Sequence, residues 1–305
     1  MSFRPKLSRL CLLLLAVVVV VGTALWFRPL AFFFTFSDLR LLAEGARNHS
    51  ITVSQVHMHY YVMGPENGTP VVLVHGLGGR AEDWRNLAPA MAKDGYRVYM
   101  PDLPGFGRSE QPARFSYSIP DQAEMVVGFV DAMGLRQVDL GGWSMGGWIV
   151  QRVAAEHPER VRKLMLFDSA GIYEVPRWNI TLFTPVNENE IAQLDALLMP
   201  HPPTLPSFVA RDILRLSDRN AWVVHRALGS MLTGHDTTDG LLPALKMPVL
   251  LEWGSQDLIT PLDQGEKMHK LIPQSQLVVI QGCGHLAPDQ CAGRMVPSVL
   301  EFLKN

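Results

Sequence analysis

The chain has 305 residues, of which 48% are apolar and 18% charged, and its formal net charge is −2. This size and composition indicate one large or two modest globular domains and argue against an intrinsically disordered chain. The weak net charge and the lack of a basic stripe argue against a nucleic-acid partner.

The first residues predict a membrane anchor. Residues 10–27 contain no charged side chain, and these 18 residues would form a helix of about 27 Å, close to the roughly 30 Å hydrocarbon core of a bilayer. Basic residues precede the run and favour a cytoplasmic N-terminus, with the main body on the periplasmic or lumenal side of, most simply, a bacterial inner membrane. A cleaved signal peptide is the alternative, but its only small-residue site, Gly22-Thr23-Ala24, precedes bulky residues.

An aromatic and then an amphipathic segment follow the apolar run. Trp26, Phe27 and the phenylalanines at 32–34 surround Arg28 and are typical of an interfacial belt on the far side of a membrane. Residues 37–47 fit either a helix on the membrane surface or a connector packed on the main body. The anchor is also a candidate surface for a homodimer.

Strand and helix patterns alternate through the next part of the chain. Strands are predicted within 51–63 (two strands) and at 71–74, 96–100, 137–140 and 163–167, and helices at 81–93, 121–133 and 148–156. Such alternation predicts right-handed strand–helix–strand units and a mainly parallel sheet.

The alternation breaks between residues 171 and 240. This segment contains six prolines between 176 and 206 and amphipathic helical pieces at 188–198 and 207–216, which is typical of a helical cap. Strands at 249–253 and 277–280, a helix at 261–271 and a final helix to 305 complete the pattern. The predicted parts are an anchor with its juxtamembrane segment (1–36), a strand-and-helix core in two parts (37–170 and 241–305) and a cap (171–240).

The sequence Gly142-Trp143-Ser144-Met145-Gly146 lies between a predicted strand and a predicted helix. A G-x-S-x-G in that place is typical of a nucleophile elbow, a turn so tight that the serine backbone is strained. Gly142 and Gly146 are required because a Cβ there would collide with the neighbouring strand and helix. A glycine-rich turn that contains a serine by chance is the alternative, and the flanking elements disfavour it.

A serine hydroxyl becomes a nucleophile when a base removes its proton and a carboxylate orients that base. After a nucleophile elbow, the acid and then the histidine are expected later in the chain, each on a loop that follows a strand. Asp257 and His285 occupy those places and are the predicted acid and base for Ser144. Asp168 also ends a predicted strand after Ser144 and is the rival acid.

Acyl transfer places negative charge on the former carbonyl oxygen, which two backbone N–H groups can stabilise. Met145 follows the nucleophile, and Leu77 lies on the loop after the strand at 71–74, so their amides are the predicted oxyanion hole. His75 begins that loop and is interpreted as a loop organiser rather than a second base.

No cofactor or metal site is predicted, because the spacing of histidines, cysteines and carboxylates matches no metal-binding pattern. Cys11 precedes the apolar run and does not support a lipoprotein cleavage site. Cys283 and Cys291 could pair in an oxidising compartment, but free buried thiols are the favoured prediction.

Several motifs together resemble the α/β-hydrolase superfamily over everything after about residue 51. They are His75-Gly76-Leu77-Gly78, Asp102-Leu103-Pro104-Gly105-Phe106-Gly107, the Ser144 elbow, Trp253 to Asp257, and Gly284-His285. Phe167-Asp168-Ser169-Ala170-Gly171 and segments between 183 and 203 resemble bacterial membrane-anchored lipases and the related animal monoacylglycerol lipases. Trp143 departs from the asparagine expected there in such lipases. The resemblance implies an α/β-hydrolase fold with an eight-stranded, mainly parallel sheet and a helical cap between strands 6 and 7.

The expected function is a membrane-anchored serine hydrolase that cleaves acyl esters of monoacylglycerol, lysophospholipid or phospholipid through an acyl-enzyme on Ser144. A carbon–carbon bond hydrolase or a small-amide peptidase with the same triad is the alternative, because the fold does not determine the bond that is cleaved. A non-catalytic membrane receptor or scaffold is a remote alternative, since such proteins usually lack a triad residue.

Overall fold

The structure, a computed structural model, describes the backbone of residues 4–305 and the side chains of residues 14–16 and 18–305. It begins with helices α1 (Arg4–Phe27) and α2 (Pro29–Ala43). Among the described residues no single helix meets the length and hydropathy of a bilayer span, whereas Leu14–Phe27 and Pro29–Ala43 meet them together, with a bend of 102° between them. The basic side chains predicted to orient the anchor lie outside the described ones, so the anchor stays a prediction.

Helix α2 is packed on the main body. Its Leu41 is fully buried, and the Tyr61 hydroxyl donates a hydrogen bond to Asp38 at 2.5 Å. The Arg80 guanidinium lies 3.9 Å from the centre of the Phe34 ring, within cation–π range. Of the two positions predicted for the amphipathic segment, the structure therefore shows the packed connector.

Eight strands form one sheet. They are β1 (Arg47–Val53), β2 (Val56–Met63), β3 (Thr69–Val74), β4 (Tyr96–Pro101), β5 (Val138–Trp143), β6 (Val161–Phe167), β7 (Val249–Gly254) and β8 (Ser275–Ile280). Their order across the sheet is β1-β2-β4-β3-β5-β6-β7-β8. Strand β2 is antiparallel to β1 and β4, and the remaining neighbours are parallel. The predicted eight-stranded, mainly parallel sheet is confirmed.

Helices cover both faces of this sheet. They are α3 (Ala88–Lys93), α4 (Ile119–Ala132), α5 (Met145–Glu156), α8 (Leu262–Leu271), α9 (Ala287–Gln290) and α10 (Ala292–Lys304). The helix predicted at 81–93 is instead a 3₁₀ turn, Ala81–Trp84, followed by α3. Pro89 explains the break, because proline lacks an amide N–H and is tolerated only in the first turn of a helix, where it lies in α3.

Two further helices, α6 (Glu188–Leu198) and α7 (Ser207–Met231), lie between β6 and β7. Helix α6 has the predicted bounds. Helix α7 continues well beyond the predicted end at residue 216, since no proline or glycine interrupts the chain before Gly229. Both occupy the segment predicted to be a cap.

The core is built on strands that are buried on both faces. All four residues from Val71 to Val74 are fully buried. Because side chains alternate along a strand, Val72 and Val74 belong to the apolar cluster on the face covered by α4, α5 and α8, whereas Val71 and Leu73 belong to the cluster on the face covered by α3 and α10. Strands β3, β5, β6, β7 and β8 are parallel, so the loops that follow them meet at the same edge of the sheet.

One buried carboxyl, Glu252 on β7, lies within this core. It accepts a hydrogen bond from the Ser298 hydroxyl of α10. Burial raises its pKa from 4.5 to about 8. The folded protein therefore retains a proton on Glu252 over a pH range in which the unfolded chain has lost it. The free energy of unfolding consequently falls as the pH rises from 4.5 through about 8.

We therefore expect Glu252→Gln to lose less stability than the wild type between about pH 6 and about pH 9, because the amide has no charge to bury. The unfolding midpoint, measured across that range, checks this. Glu301→Gln on the exposed face of α10 is the matched control and should follow the wild type. Parallel pH curves for all three proteins would contradict the assignment.

Candidate active site

Ser144 is the single residue between β5 and α5. Its backbone has φ 56° and ψ −121°, a region that residues with a side chain rarely adopt. A Cβ on Gly142 would overlap the backbone of Gly146, and one on Gly146 would overlap the carbonyl oxygen of Val74. Glycine is therefore required at both positions, and the turn has the geometry expected of the predicted elbow.

The loops after β7 and β8 bring Asp257 and His285 to Ser144. The Nε2 atom of His285 lies 2.8 Å from the Ser144 Oγ, and its Nδ1 atom lies 2.8 Å from Oδ2 of Asp257. Because an ionised carboxylate can only accept, Nδ1 carries the proton and Nε2 is free to accept one from the serine. His285 and Asp257 are 2% and 3% exposed. The three residues predicted to act together are therefore in one hydrogen-bonded chain.

Asp257 is held by a tight turn that the sequence reasoning missed. Its Oδ1 accepts the backbone N–H groups of Ile259 and Thr260 at 2.8 Å and 2.9 Å. The Thr260 hydroxyl donates to Oδ2 at 2.7 Å and lies 3.2 Å from the Nδ1 atom of His285. Aspartate side chains often accept hydrogen bonds from backbone N–H groups two and three residues later, so this turn could have been predicted from the sequence around Asp257.

Asp168, the rival acid, occupies a different place. It is fully buried at the end of β6, and its Oδ1 accepts the Gly254 N–H at 2.7 Å. Burial, and then the neighbouring Asp257 carboxylate, raise the pKa of Asp168 well above its usual value. The Nδ1 atom of His285 bonds to Asp257 and not to Asp168, so the geometry favours Asp257 as the acid.

Trp143, at the end of β5, contacts the loop that carries His285. Its indole N–H donates to the carbonyl oxygen of His285 at 2.8 Å, and the two ring centres lie 5.7 Å apart. From the sequence, Trp143 was notable only because the related lipases are expected to have an asparagine at this position. Its partner is 142 residues away in the chain, and no local pattern could have identified it.

The loop after β3 passes directly beside the serine. A Cβ on Gly76 would lie 3.1 Å from the Ser144 Cβ, which places the neighbouring Leu77 amide next to the nucleophile. The buried His75 ring donates from Nδ1 to the Gly76 carbonyl oxygen at 2.8 Å, and its Nε2 accepts the Leu103 N–H at 3.0 Å. Burial lowers the His75 pKa, so this neutral ring, with both nitrogens engaged, organises the loop as predicted.

The end of α6 closes over the histidine loop. A Cβ on Gly284 would lie 2.7 Å from the carbonyl oxygen of Leu198, and the N–H of Leu286 points to that same oxygen at 3.4 Å. The end of α6 is therefore in direct contact with the loop that carries His285.

A cavity of about 210 Å³ lies beside the site, between residues 170–178, the end of α7 and residues 259–264. Its lining is mainly apolar and includes Trp148 and Trp178. The wall touches the site through Ala170, whose N–H donates to the Ser144 carbonyl oxygen at 3.1 Å, and through Thr260. The cavity adjoins the hydrogen-bonded chain without containing the serine itself.

Cys283 and Cys291 form a disulfide, so the prediction of free thiols is wrong. After β8 the chain turns at Gly282, and α9 brings Cys291 back until the two Cα atoms are 6.4 Å apart, within disulfide range. That approach depends on the fold of the loop, which residue spacing does not reveal. The disulfide closes the loop that carries His285.

The model of the alpha/beta hydrolase fold family matches residues 69–199 and 205–290, which include the elbow and both partner loops. The chain belongs to this family. Lipase 1 of Psychrobacter immobilis is 30% identical over 240 residues, which are 75% of this chain and 75% of that one.

Two further relatives differ in the reaction that their names describe. The 2-hydroxymuconate semialdehyde hydrolase of Pseudomonas sp. (strain CF600) is 30% identical over 259 residues, 77% of this chain and 87% of that relative. Among solved structures, a membrane phospholipase A described as a bacterial virulence factor superposes with a TM-score of 0.82 at 27% identity and covers 97% of this chain and 98% of its own. With Lipase 1 and this phospholipase among the proteins it matches, this α/β-hydrolase resembles bacterial lipases.

The two candidate acids of this α/β-hydrolase can be separated by one pair of substitutions. Asp257→Asn removes the carboxylate from the His285 Nδ1 and is expected to lower kcat by up to about 10⁴-fold on a soluble ester. Asp168→Asn keeps an acceptor for the Gly254 N–H and leaves the hydrogen bond between His285 and Asp257 in place, so activity should stay close to that of the wild type. Steady-state kinetics check this, and the reverse pattern would make Asp168 the acid.

Proposed function

We propose that the protein is a serine hydrolase that cleaves acyl esters of lipids through an acyl-enzyme on Ser144. The observation that carries this proposal is the chain of hydrogen bonds from Ser144 through His285 to Asp257, each at 2.8 Å. The neighbouring apolar cavity adds a place for the apolar part of a substrate.

In the proposed reaction, Nε2 of His285 takes the Ser144 proton as Oγ attacks the ester carbonyl carbon. The Leu77 and Met145 N–H groups stabilise the oxyanion that forms. His285 then gives the proton to the leaving alcohol oxygen, the carbon–oxygen bond breaks, and Ser144 carries the acyl group. Water, deprotonated by the same nitrogen, then attacks the acyl carbon; the bond to Oγ breaks, His285 returns the proton to Oγ, and the fatty acid leaves.

A membrane location for this reaction has three supports. The described part of α1 exposes aliphatic side chains such as Val18, which is 66% exposed. The superposition on the membrane phospholipase A covers 97% of the chain and so includes most of the N-terminal helices. The disulfide suits an oxidising compartment. We therefore propose an N-terminal membrane anchor with the catalytic body on the outer side.

A carbon–carbon bond hydrolase is the second candidate, because the 2-hydroxymuconate semialdehyde hydrolase is as identical to the chain as Lipase 1. Structures of hydrolases with such substrates, for example the Rhodococcus enzyme that acts on 2-hydroxy-6-oxo-6-phenylhexa-2,4-dienoate, cover 85% of this chain. The superposition on the membrane phospholipase A covers more of the chain, 97%. That difference favours a lipid ester as the substrate.

Fatty-acid release from monoacylglycerol, lysophospholipid and phospholipid tests the proposal on the full-length protein. We expect release from at least one of these lipids and its loss, by about 10⁴-fold or more, in Ser144→Ala. Ser169→Ala, at a buried serine that bonds to Gln151, is the matched control. Activity confined to a carbon–carbon substrate would favour the second candidate, and full activity of Ser144→Ala would exclude this nucleophile.

The anchor is tested by removing residues 1–25, a boundary that keeps the contacts of Trp26 and all of α2. Hydrolysis of phospholipid in vesicles should fall at least about tenfold, because the site is no longer concentrated at the lipid surface. Hydrolysis of a soluble ester should be retained, which shows that the shortened protein is folded. Equal activity of both forms on vesicles would contradict the role of the anchor.

A further inference from the structure

A small basic pocket lies at the corner where α1, α2 and the cap segment meet. Its volume is about 150 Å³. It is lined by Trp26, Phe27, Arg28, Phe208, Arg211, Asp212 and Arg215. The first three residues belong to the corner between α1 and α2, and the other four to α7, so two separate parts of the chain build it.

Its charges do not cancel. Asp212 is almost completely buried; it accepts the Leu30 N–H at 3.0 Å, and its carboxylate lies 3.7 Å from the Arg28 guanidinium and 2.8 Å from that of Arg215. Arg211 forms no ion pair with the described part of the chain; its guanidinium lies 5.6 Å from the centre of the Trp26 ring. Three arginines against one aspartate leave the pocket cationic.

The aromatic residues give this cationic pocket an apolar rim. The Trp26 ring stacks on Phe208 with centres 5.1 Å apart. Trp26 and Phe27 nevertheless remain 53% and 62% exposed. Both residues end the apolar run, so they lie where a membrane-anchored chain meets the headgroup region. A cationic pocket with exposed aromatic side chains at that level matches a phosphate that carries acyl chains.

We propose that this pocket binds the phosphate of an anionic phospholipid headgroup, an inference that rests on the membrane anchor of the proposed function. Arg211 supplies a cation that has no ion-pair partner among the described side chains, while Arg28 and Arg215 share Asp212 and flank the phosphate. Trp26 and Phe27 contact the glycerol and the upper acyl chain. A headgroup bound there contacts the anchor corner and α7 together, and so holds the cap segment against the bilayer surface.

The test uses the full-length protein with Ser144→Ala in zwitterionic detergent micelles, so that no lipid is consumed. The probes are ether-linked phosphatidylglycerol, ether-linked phosphatidylcholine and inorganic phosphate, with the affinity of each measured by titration. Arg211→Gln removes the positive charge of Arg211. Arg219→Gln, exposed about two turns further along the same helix, is the matched control with the same change of charge.

We expect phosphatidylglycerol to bind more tightly than the other two probes, and Arg211→Gln to weaken its binding about fivefold, as loss of one cation near a lipid phosphate does. Arg219→Gln should leave the affinity unchanged. Equal affinities of the two variants would overturn the site. Inorganic phosphate that binds as tightly as phosphatidylglycerol would overturn the lipid assignment.

The hydrolase proposal is tested separately, by measuring hydrolysis of a soluble ester by proteins that retain Ser144. Arg211→Gln should keep that activity, because Arg211 is not part of the Ser144 site. Phosphatidylglycerol binding by a protein that is inert on every ester would contradict the hydrolase proposal and leave the pocket standing. Loss of ester hydrolysis in Arg211→Gln alone would contradict the separation of the two sites.

Discussion

The backbone strain at Ser144 is the constraint on which the rest of the site depends. A positive φ at a residue with a side chain persists only where the surrounding structure enforces it. Here the enforcement is the close approach of α5 to β3 and β5, which Gly142 and Gly146 alone permit. The same approach presents the Ser144 hydroxyl at the sheet edge where the loops after β7 and β8 deliver its partners.

The partners are held both by contacts within their own loops and by one contact from a neighbouring strand. Trp143 on β5 bonds to the histidine backbone, and Thr260 fixes the carboxylate of Asp257. The disulfide between Cys283 and Cys291 restrains the same loop. These contacts order the histidine before substrate arrives, which is how pre-organisation reduces the cost of reaching a transition state. The anchor corner and α7 meet on the outside of this arrangement, at the pocket lined by arginines.

Sequence reasoning located most of the sheet and selected Ser144, Asp257 and His285, which the structure brings within hydrogen-bond distance of one another, because strand patterns and chain order are local or linear signals. It did not find the partner of Trp143 or the disulfide, since both depend on distances set by packing between remote segments. The break at Pro89 had a local signal in the proline itself. The apolar run at 10–27 falls within α1, but the segment predicted at 37–47 belongs to a helix that spans Pro29–Ala43, and apolar spacing could not show the bend between the two helices.

The central claim is that Ser144 is a nucleophile activated by its histidine. Reaction of the full-length protein with a fluorophosphonate, followed by peptide mass spectrometry, tests it directly, because such probes form a stable bond only with an activated serine. We predict one adduct, on Ser144, and a rate of labelling that falls sharply in His285→Ala. An adduct on another serine, or labelling of Ser144 at an unchanged rate without the histidine, would contradict the account.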